Sequence, residues 1–520
     1  MGRKHVIQNI VGQTSKYDLA KVSNSYTLNM MVETVDGNES FVNRIVRPIP
    51  GLKKICDIEG RCRGMYTVSA GYKGQPTTYM VFGRKLYVLT PNDTAFPIAN
   101  MANFDTEVHF AETGNSEGFH SHLVMVDGYN CYSLDVQVNY SVQSTSFKQV
   151  QLPYRNYDTG EMIKPTHIAY LYGYIVVNDE GSDSFYISYQ FPYERNDDDN
   201  NLDENIFMVG SEEWGYKGQS EQSYWQPDNT TALVANGTRL FTFGEKSYQI
   251  FQYTNDVNVP FNSPDTAASL IGLRAVNSLC QIGGIIIWLG SADIGNDGVY
   301  MNTGSTQAQR VSTVEIERQI SKLPYVKDAR AQIWQDHQHI FYVLDFPSGG
   351  LTLCYDLTEK TWTNRASLTE KNELKNWRYT DATMDRNGRI LHAAQNCLVC
   401  ETEKKWNEHD GRPIVRTRRG GIVYSDNSNF YIDDIEVITN NGQYSDIDYA
   451  GAKMSMRFSS DGSTWSDQEV VSLGNTGDYD YDCVFYSLGM ARYFTVEFSC
   501  SDNVPFALYG IRLNTDTCAW

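Results

Sequence analysis

Apolar residues recur in short runs of roughly four to eight, each bounded by turn residues, which is the pattern of strands rather than helices. Examples are Thr78 to Leu89 (TYMVFGRKLYVL) and His122 to Tyr132 (HLVMVDGYNCY). Asp-Gly and Asn-Gly pairs punctuate the runs at Asp127-Gly128, Asn236-Gly237, Asp297-Gly298, Asn387-Gly388, Asn441-Gly442 and Asp461-Gly462. These are hairpin signals, because a type I′ turn needs positive φ at both central residues. The best helical stretch is Ser312 to Leu323, where Val314, Ile316 and Ile320 are only partly helical in spacing.

Between about residue 62 and residue 402 one phrase repeats: a strand, a tight turn, and a second strand ending in Tyr, Phe or Trp. It occurs at 78–89, 122–132, 168–187, 233–251, 285–301, 340–362 and 382–399. Neighbouring copies lie roughly 45 to 65 residues apart, the spacing of propeller blades with long insertions. After Arg412 to Arg419 (RPIVRTRR) the pattern becomes regular alternation, as in Phe430 to Val437, Lys453 to Phe458 and Tyr493 to Phe498. The expectation is therefore an all-β chain: an N-terminal extended segment and docking arm over 1–61, an irregular six- or seven-bladed propeller-like domain over 62–411, and a C-terminal β-sandwich over 412–520.

Composition narrows the class. With 520 residues, 41% hydrophobic and 20% charged, and a mean hydropathy of -0.44, the chain can bury a large core. The longest apolar stretch, Cys280 to Gly290, is about half a transmembrane helix, so membrane insertion is not expected. No apolar export signal follows the basic start MGRKHVIQNI. Ten scattered cysteines suit a reducing compartment, and Cys397-Leu-Val-Cys400 lacks partners for a zinc site. A formal charge of -20 disfavours tight DNA binding, yet suits a wall past which DNA must slide. The 35 tyrosines fit both pleated sheets and partly wet subunit contacts.

Candidate chemistry is thin. Gly114-Asn-Ser116-Glu-Gly118 matches a nucleophile elbow, but His122 to Val126 after it is a strand where the elbow needs a helix. His337 and His339 would share a strand face, as metal ligands can, but no third ligand is identifiable. The acidic insert Asn196 to Asn205 lacks the turning Gly of a calcium loop. No catalytic residue, metal site or cofactor is assigned. The run carrying Arg412, Arg416, Arg418 and Arg419 reads as a charged linker between domains, with contact to a neighbouring subunit or to channel DNA as its alternative. Ser459 to Trp465 (SSDGSTW) resembles an Asp-box turn, in which Asp461 would accept backbone N–H groups around Gly462 and Trp465 would pack beneath.

The order of phrases resembles that of the packaged-DNA stabilisation proteins, or tail hubs, of short-tailed phages. The similarity rests on Ser25 to Glu33 with Asn29-Met30, then Arg47-Pro-Ile-Pro50-Gly51-Leu52, Tyr172-Gly-Tyr174 leading to Asp183 to Ile187, and Glu221-Gln222 leading to Gln226-Pro227-Asp228. It continues through Phe243-Gly244 leading to Tyr248 to Phe251, Ile285 to Trp288 leading to Val299-Tyr300, Thr313 to Glu317, Asp336-His337 leading to Tyr355-Asp356 and Trp362, and Phe458 to Gly462. The resemblance implies a structural virion protein, made in the host cytoplasm and built into the tail. It implies a homo-oligomeric ring, hexameric in expectation, docked below the portal and its head-to-tail adaptor. Such a ring would hold tailspikes or fibres and a needle or plug, with DNA passing through the channel without sequence-specific binding. The competing expectation is a glycan-binding or glycan-cleaving propeller acting at a host surface.

Overall fold

The computed structural model describes all residues except 1–2, 8–9, 17–22, 36–42, 115–119, 157–158, 191–204, 208–218, 224, 257, 265–266, 293–296, 337, 402–407, 421–422, 425–428, 444–450 and 518–520. Among the described residues there is one α-helix, Val314–Ser321, capped by Thr313, whose side chain accepts from the Ile316 N–H. Nearly everything else that is regular is antiparallel strand.

Seven sheets of the described residues follow one another around a ring, each with an inner strand. The inner strands are Cys62–Val68, His109–Glu112, Ile168–Leu171, Ala232–Asn236, Cys280–Ile282, Arg330–Asp336 and Asp381–Met384. The seventh blade is completed by Leu52–Asp57, which pairs antiparallel with Cys397–Glu401 in the register Leu52↔Glu401. Two segments far apart in sequence therefore close the ring.

The hydrophobic cores explain why blade strands read as unbroken apolar runs. Leu123 and Met125 pack with Val68, Val81 and Val88 of the first blade, while Val124 and Val126, pointing the other way, pack with Ile168, Ile175 and Val177 of the third. A strand sandwiched between two blades is buried on both faces and has no polar side to alternate with. The same arrangement repeats at every blade boundary, ending where Leu391 and Leu398 meet Met65, Met80 and Phe82.

The sandwich is built from both ends of the chain. One sheet runs Met30–Thr34, Arg44–Pro48, Leu508–Thr517, Phe430–Thr439, Cys483–Ala491, with Arg3–Ile7 also paired to Leu508–Thr517. The facing sheet runs Asn24–Leu28, Arg416–Arg419, Tyr493–Cys500, Lys453–Ser459, Glu469–Ser472. Met30, Val46, Ile435, Met456, Phe498 and Leu513 share their core. Asn24–Leu28 also meets Thr361–Asn364, the outer strand of the sixth blade, at Leu28↔Asn364, so one sheet runs from blade six into the sandwich. The segment expected as an extended arm over 1–61 is thus, where described, strand-paired into both units.

One turn signal has another meaning. Asp297-Gly298 lies inside the strand Asp297–Asn302 and makes no hairpin. A Cβ on Gly298 would sit 2.9 Å from the Glu317 carboxylate and 3.0 Å from the Ser312 hydroxyl, so the glycine makes room for the helix.

Candidate functional site

The basic run forms the strand Arg416–Arg419, and strand alternation decides which arginines face inward. Arg416, 0% exposed, donates to the carbonyls of Ile414, Val504 and Asp502. Arg418, 1% exposed, donates to the Ile10 and Gln13 carbonyls and to the Thr27 hydroxyl at 2.7 Å. Buried guanidiniums satisfied by backbone carbonyls are internal fasteners, so these two residues touch neither a channel nor a neighbour. Arg419 clamps Glu497 at 2.7 Å and donates to Asn24. Arg412 keeps the most freedom, with loose contacts to the Leu368 carbonyl at 3.3 Å and the exposed Glu370 carboxylate at 3.5 Å.

At the turn after Lys453–Ser459, Asp461 accepts from the backbone N–H groups of Ser463 at 2.7 Å and Thr464 at 2.6 Å, and from the Ser459 hydroxyl. These bonds favour the ionised carboxyl and hold Asp461 well below the usual carboxylate range. Gly462 sits at φ 80°, where a side chain would be strained. Trp465 is half-buried, with the guanidiniums of Arg419 and Arg457 lying 4.7 and 5.1 Å from its ring centre. Arg457 belongs to the strand that leads into the turn, whereas Arg419 comes from Arg416–Arg419, which local sequence could not reveal.

Of the other candidates, Ser116, His337 and most of the acidic insert lie outside the described residues. His339 pairs with Asp356 at 2.7 Å, and that hydrogen bond raises its pKa. The second blade repeats the device with His120 and Asp135, also at 2.7 Å. In both blades the same Asp accepts a backbone N–H two residues on, from Gln137 and Thr358 respectively. Cys397 and Cys400 are buried free thiols, and among the described residues no cluster could hold a metal ion.

A cavity of about 590 Å³ lies on the propeller axis, walled by the inner strands. His109 and His167 stack there with ring centres 3.9 Å apart. Burial holds His109 down at about 4 and His167 well below its ordinary value, so both are neutral. Asp381 accepts from the Met65 and Ala382 N–H groups, but burial outweighs those bonds and pushes it up to about 7.

Asn29 carried no role in the sequence reading beyond its place in a motif. It is buried at φ 52° and joins the two units, donating to the Ala366 and Val415 carbonyls at 3.0 and 2.9 Å and accepting from the Ala366 N–H at 3.0 Å. The left-handed conformation, which Asn tolerates, is the local signal. Among the described residues no helix is long and apolar enough to cross a membrane.

No curated protein matches the chain. Among solved structures, the extracellular domain of the two component system BT4673 from B. thetaiotaomicron is similar at 9% identity and a TM-score of 0.41, over 68% of this chain and 40% of that one. BBS1N in complex with ARL6DN is similar at 12% identity and a TM-score of 0.42, over 68% of this chain and 98% of that one. Streptogramin B lyase is similar at 12% identity and a TM-score of 0.37, over 68% and 97%. Two family models match the chain: bacteriophage P22 Gp10, beta-propeller, over residues 215–396, and bacteriophage P22 Gp10, beta-sandwich, over residues 416–516. They cover more than half of the sequence and fall on the two units just described, so this chain belongs to the bacteriophage P22 Gp10 family of DNA-stabilisation and tail-hub proteins, as a structural component of a phage tail.

Proposed function

We propose that the chain is the hub subunit that docks below the portal and its adaptor, retains packaged DNA, and supports fibres or spikes and the tail plug. The observation that carries this reading is the union of the family's propeller and sandwich by one continuous sheet, fastened by Asn29, Arg416 and Arg418. A subunit that bears outward pressure needs its two halves to move as one. The reading assigns no catalytic step and makes the subunits a ring, six in expectation, assembled in the host cytoplasm.

DNA then passes along the axis of the ring, between subunits. The net charge of -20 keeps that passage from adhering to phosphates. The sandwich presents Tyr431 opposite Met490 on an outward sheet face, with Tyr486 on the same strand as Met490, all exposed. Tyrosine and methionine are enriched in subunit contacts, which supports a ring or fibre interface there. Arg412, the freest of the four arginines, is the one left for an intersubunit contact.

The test is depletion of the protein during infection, with heads examined by electron microscopy and by nuclease sensitivity. Heads that package DNA and then lose it are the expected outcome. Stable, full heads that merely fail to adsorb would overturn the reading in favour of glycan recognition at the host surface.

A further inference from the structure

Buried polar atoms are nearly always hydrogen-bonded, so a concentration of orphans calls for an explanation. Between blades six and seven, Trp334 Nε1, Trp377 Nε1, Arg365 Nε, Tyr379 Oη, His392 Nδ1 and His409 Nε2 are all buried without partners. They belong to one packed cluster. Trp377 lies 5.0 Å from Tyr379 and 4.9 Å from His409, Trp334 lies 4.8 Å from His392, and Arg365 covers the Trp377 ring at 5.9 Å.

The balance of the cluster is toward donors and positive charge. Indole and guanidinium N–H groups can only donate. Arg365 is 4% exposed, and among the described residues no carboxylate pairs with it; its side chain has only the Cys354 sulfur at 3.7 Å and two aromatic faces. The nearby Glu401 carboxylate is taken by His392 Nε2 at 3.0 Å. Burial, helped by the charge of Arg365, holds His409 well below its ordinary pKa, so that ring adds no charge. A buried, unpaired guanidinium is costly, and a mobile water dipole relieves it less than an opposite charge does.

We propose that blades six and seven enclose a binding site for one small monovalent anion of halide size, held by the Arg365 Nε–H and the indole N–H groups of Trp334 and Trp377. The anion neutralises Arg365 and gives the orphaned donors an acceptor. It lies in the core shared with Leu52, on the strand that closes the ring, and so ties ligand occupancy to ring closure. The site is independent of the hub assignment and holds or fails on its own.

The experiment uses the full chain, melted in sodium bromide, chloride and gluconate at equal ionic strength. In the two halides the midpoint should rise with the logarithm of halide concentration, by about 1 °C once the halide exceeds its dissociation constant tenfold, with no rise in gluconate. Crystals grown in bromide should show an anomalous peak within about 3.5 Å of Arg365 Nε and Trp377 Nε1. Arg365→Met should abolish the halide effect. Trp377→Phe, which keeps the packing and removes one donor, should weaken it and covers the case in which the arginine variant does not fold. Equal midpoints in all three salts, or a peak with no anomalous signal, would mean that water alone fills the cluster and would overturn the proposal.

Discussion

Replacing Asn29 with Ala probes the joint between the two units. Three side-chain hydrogen bonds disappear, to the Ala366 carbonyl, the Ala366 N–H and the Val415 carbonyl. At about 1 kcal/mol each these amount to about 3 kcal/mol, and the groups left behind are buried, so the loss does not fall below that. Alanine at φ 52° adds about 1 kcal/mol of left-handed strain that Asn tolerates. The expected destabilisation is about 4 kcal/mol. At about 2.1 cal/mol/K per residue, a cooperative unit of 520 residues has an unfolding entropy near 1.1 kcal/mol/K, which converts the loss into a midpoint lowered by about 4 °C. Asn29→Gly removes the same bonds without the strain, and should fall about 1 kcal/mol short of the alanine variant. Differential scanning calorimetry of the full chain reads both. A loss under 1 kcal/mol, or a melt in which the sandwich moves while the propeller does not, would refute the claim that Asn29 couples them.

Three further outcomes are expected. Trp465→Ala should cost about 1–2 kcal/mol in urea denaturation, because a half-buried ring loses two cation–π contacts of roughly 0.5–1 kcal/mol each; a loss of 4 kcal/mol would mean a buried ring and contradict the structure. His339 has a pKa raised in the folded state by Asp356, so its stabilisation is full below the ordinary value of 6.5 and is lost as pH rises through the raised value. His339→Gln should flatten that part of the stability profile, and an unchanged slope between pH 6 and 8 would rule the pair out. Asp381, at about 7 in the folded state against 3.8 unfolded, makes stability fall between pH 4 and 7, since the unfolded chain gives up that proton first. Asp381→Asn should remove this fall and gain on the wild type at pH 8 relative to pH 5, measured by denaturant midpoints; an equal change at both values would show that Asp381 is already ionised.

The blades were legible in the sequence because strands buried on both faces produce apolar runs that stand out against their turns, as at Leu123 to Val126. What the runs could not reveal was closure. Leu52–Asp57 falls in the stretch expected as an extended arm, and only the open edge at Cys397–Glu401 makes it the strand that closes the ring. The run from Arg412 to Arg419 misled for a different reason. Charge suggests solvent, but in a strand alternate residues face inward, and an arginine can be buried when carbonyls converge on it, as those of Val504 and Asp502 do on Arg416. Trp465 was read from its own turn, whereas one of its two cationic neighbours, Arg419, comes from a strand brought in by the sheet. Asp297-Gly298 has the composition of a turn but serves the packing of Val314–Ser321. In each case the missing information was a contact distant in sequence.

Those distant contacts share a direction. Arg3 pairs with Thr515, Leu28 with Asn364 and Thr417, and Leu52 with Glu401, so three of the described strands of the first sixty residues lie against partners more than three hundred residues further on. An antiparallel ladder pulled along its strands must break its hydrogen bonds together rather than one at a time, and each of these pairings places such a ladder, or a sheet joint, across a boundary that would otherwise open. The propeller closes through one, the sandwich incorporates another, and Asn29 joins the two. In a subunit proposed to sit beneath a pressurised head, this makes the junction between propeller and sandwich part of the folded core rather than a hinge. A force on either unit is then shared by the other.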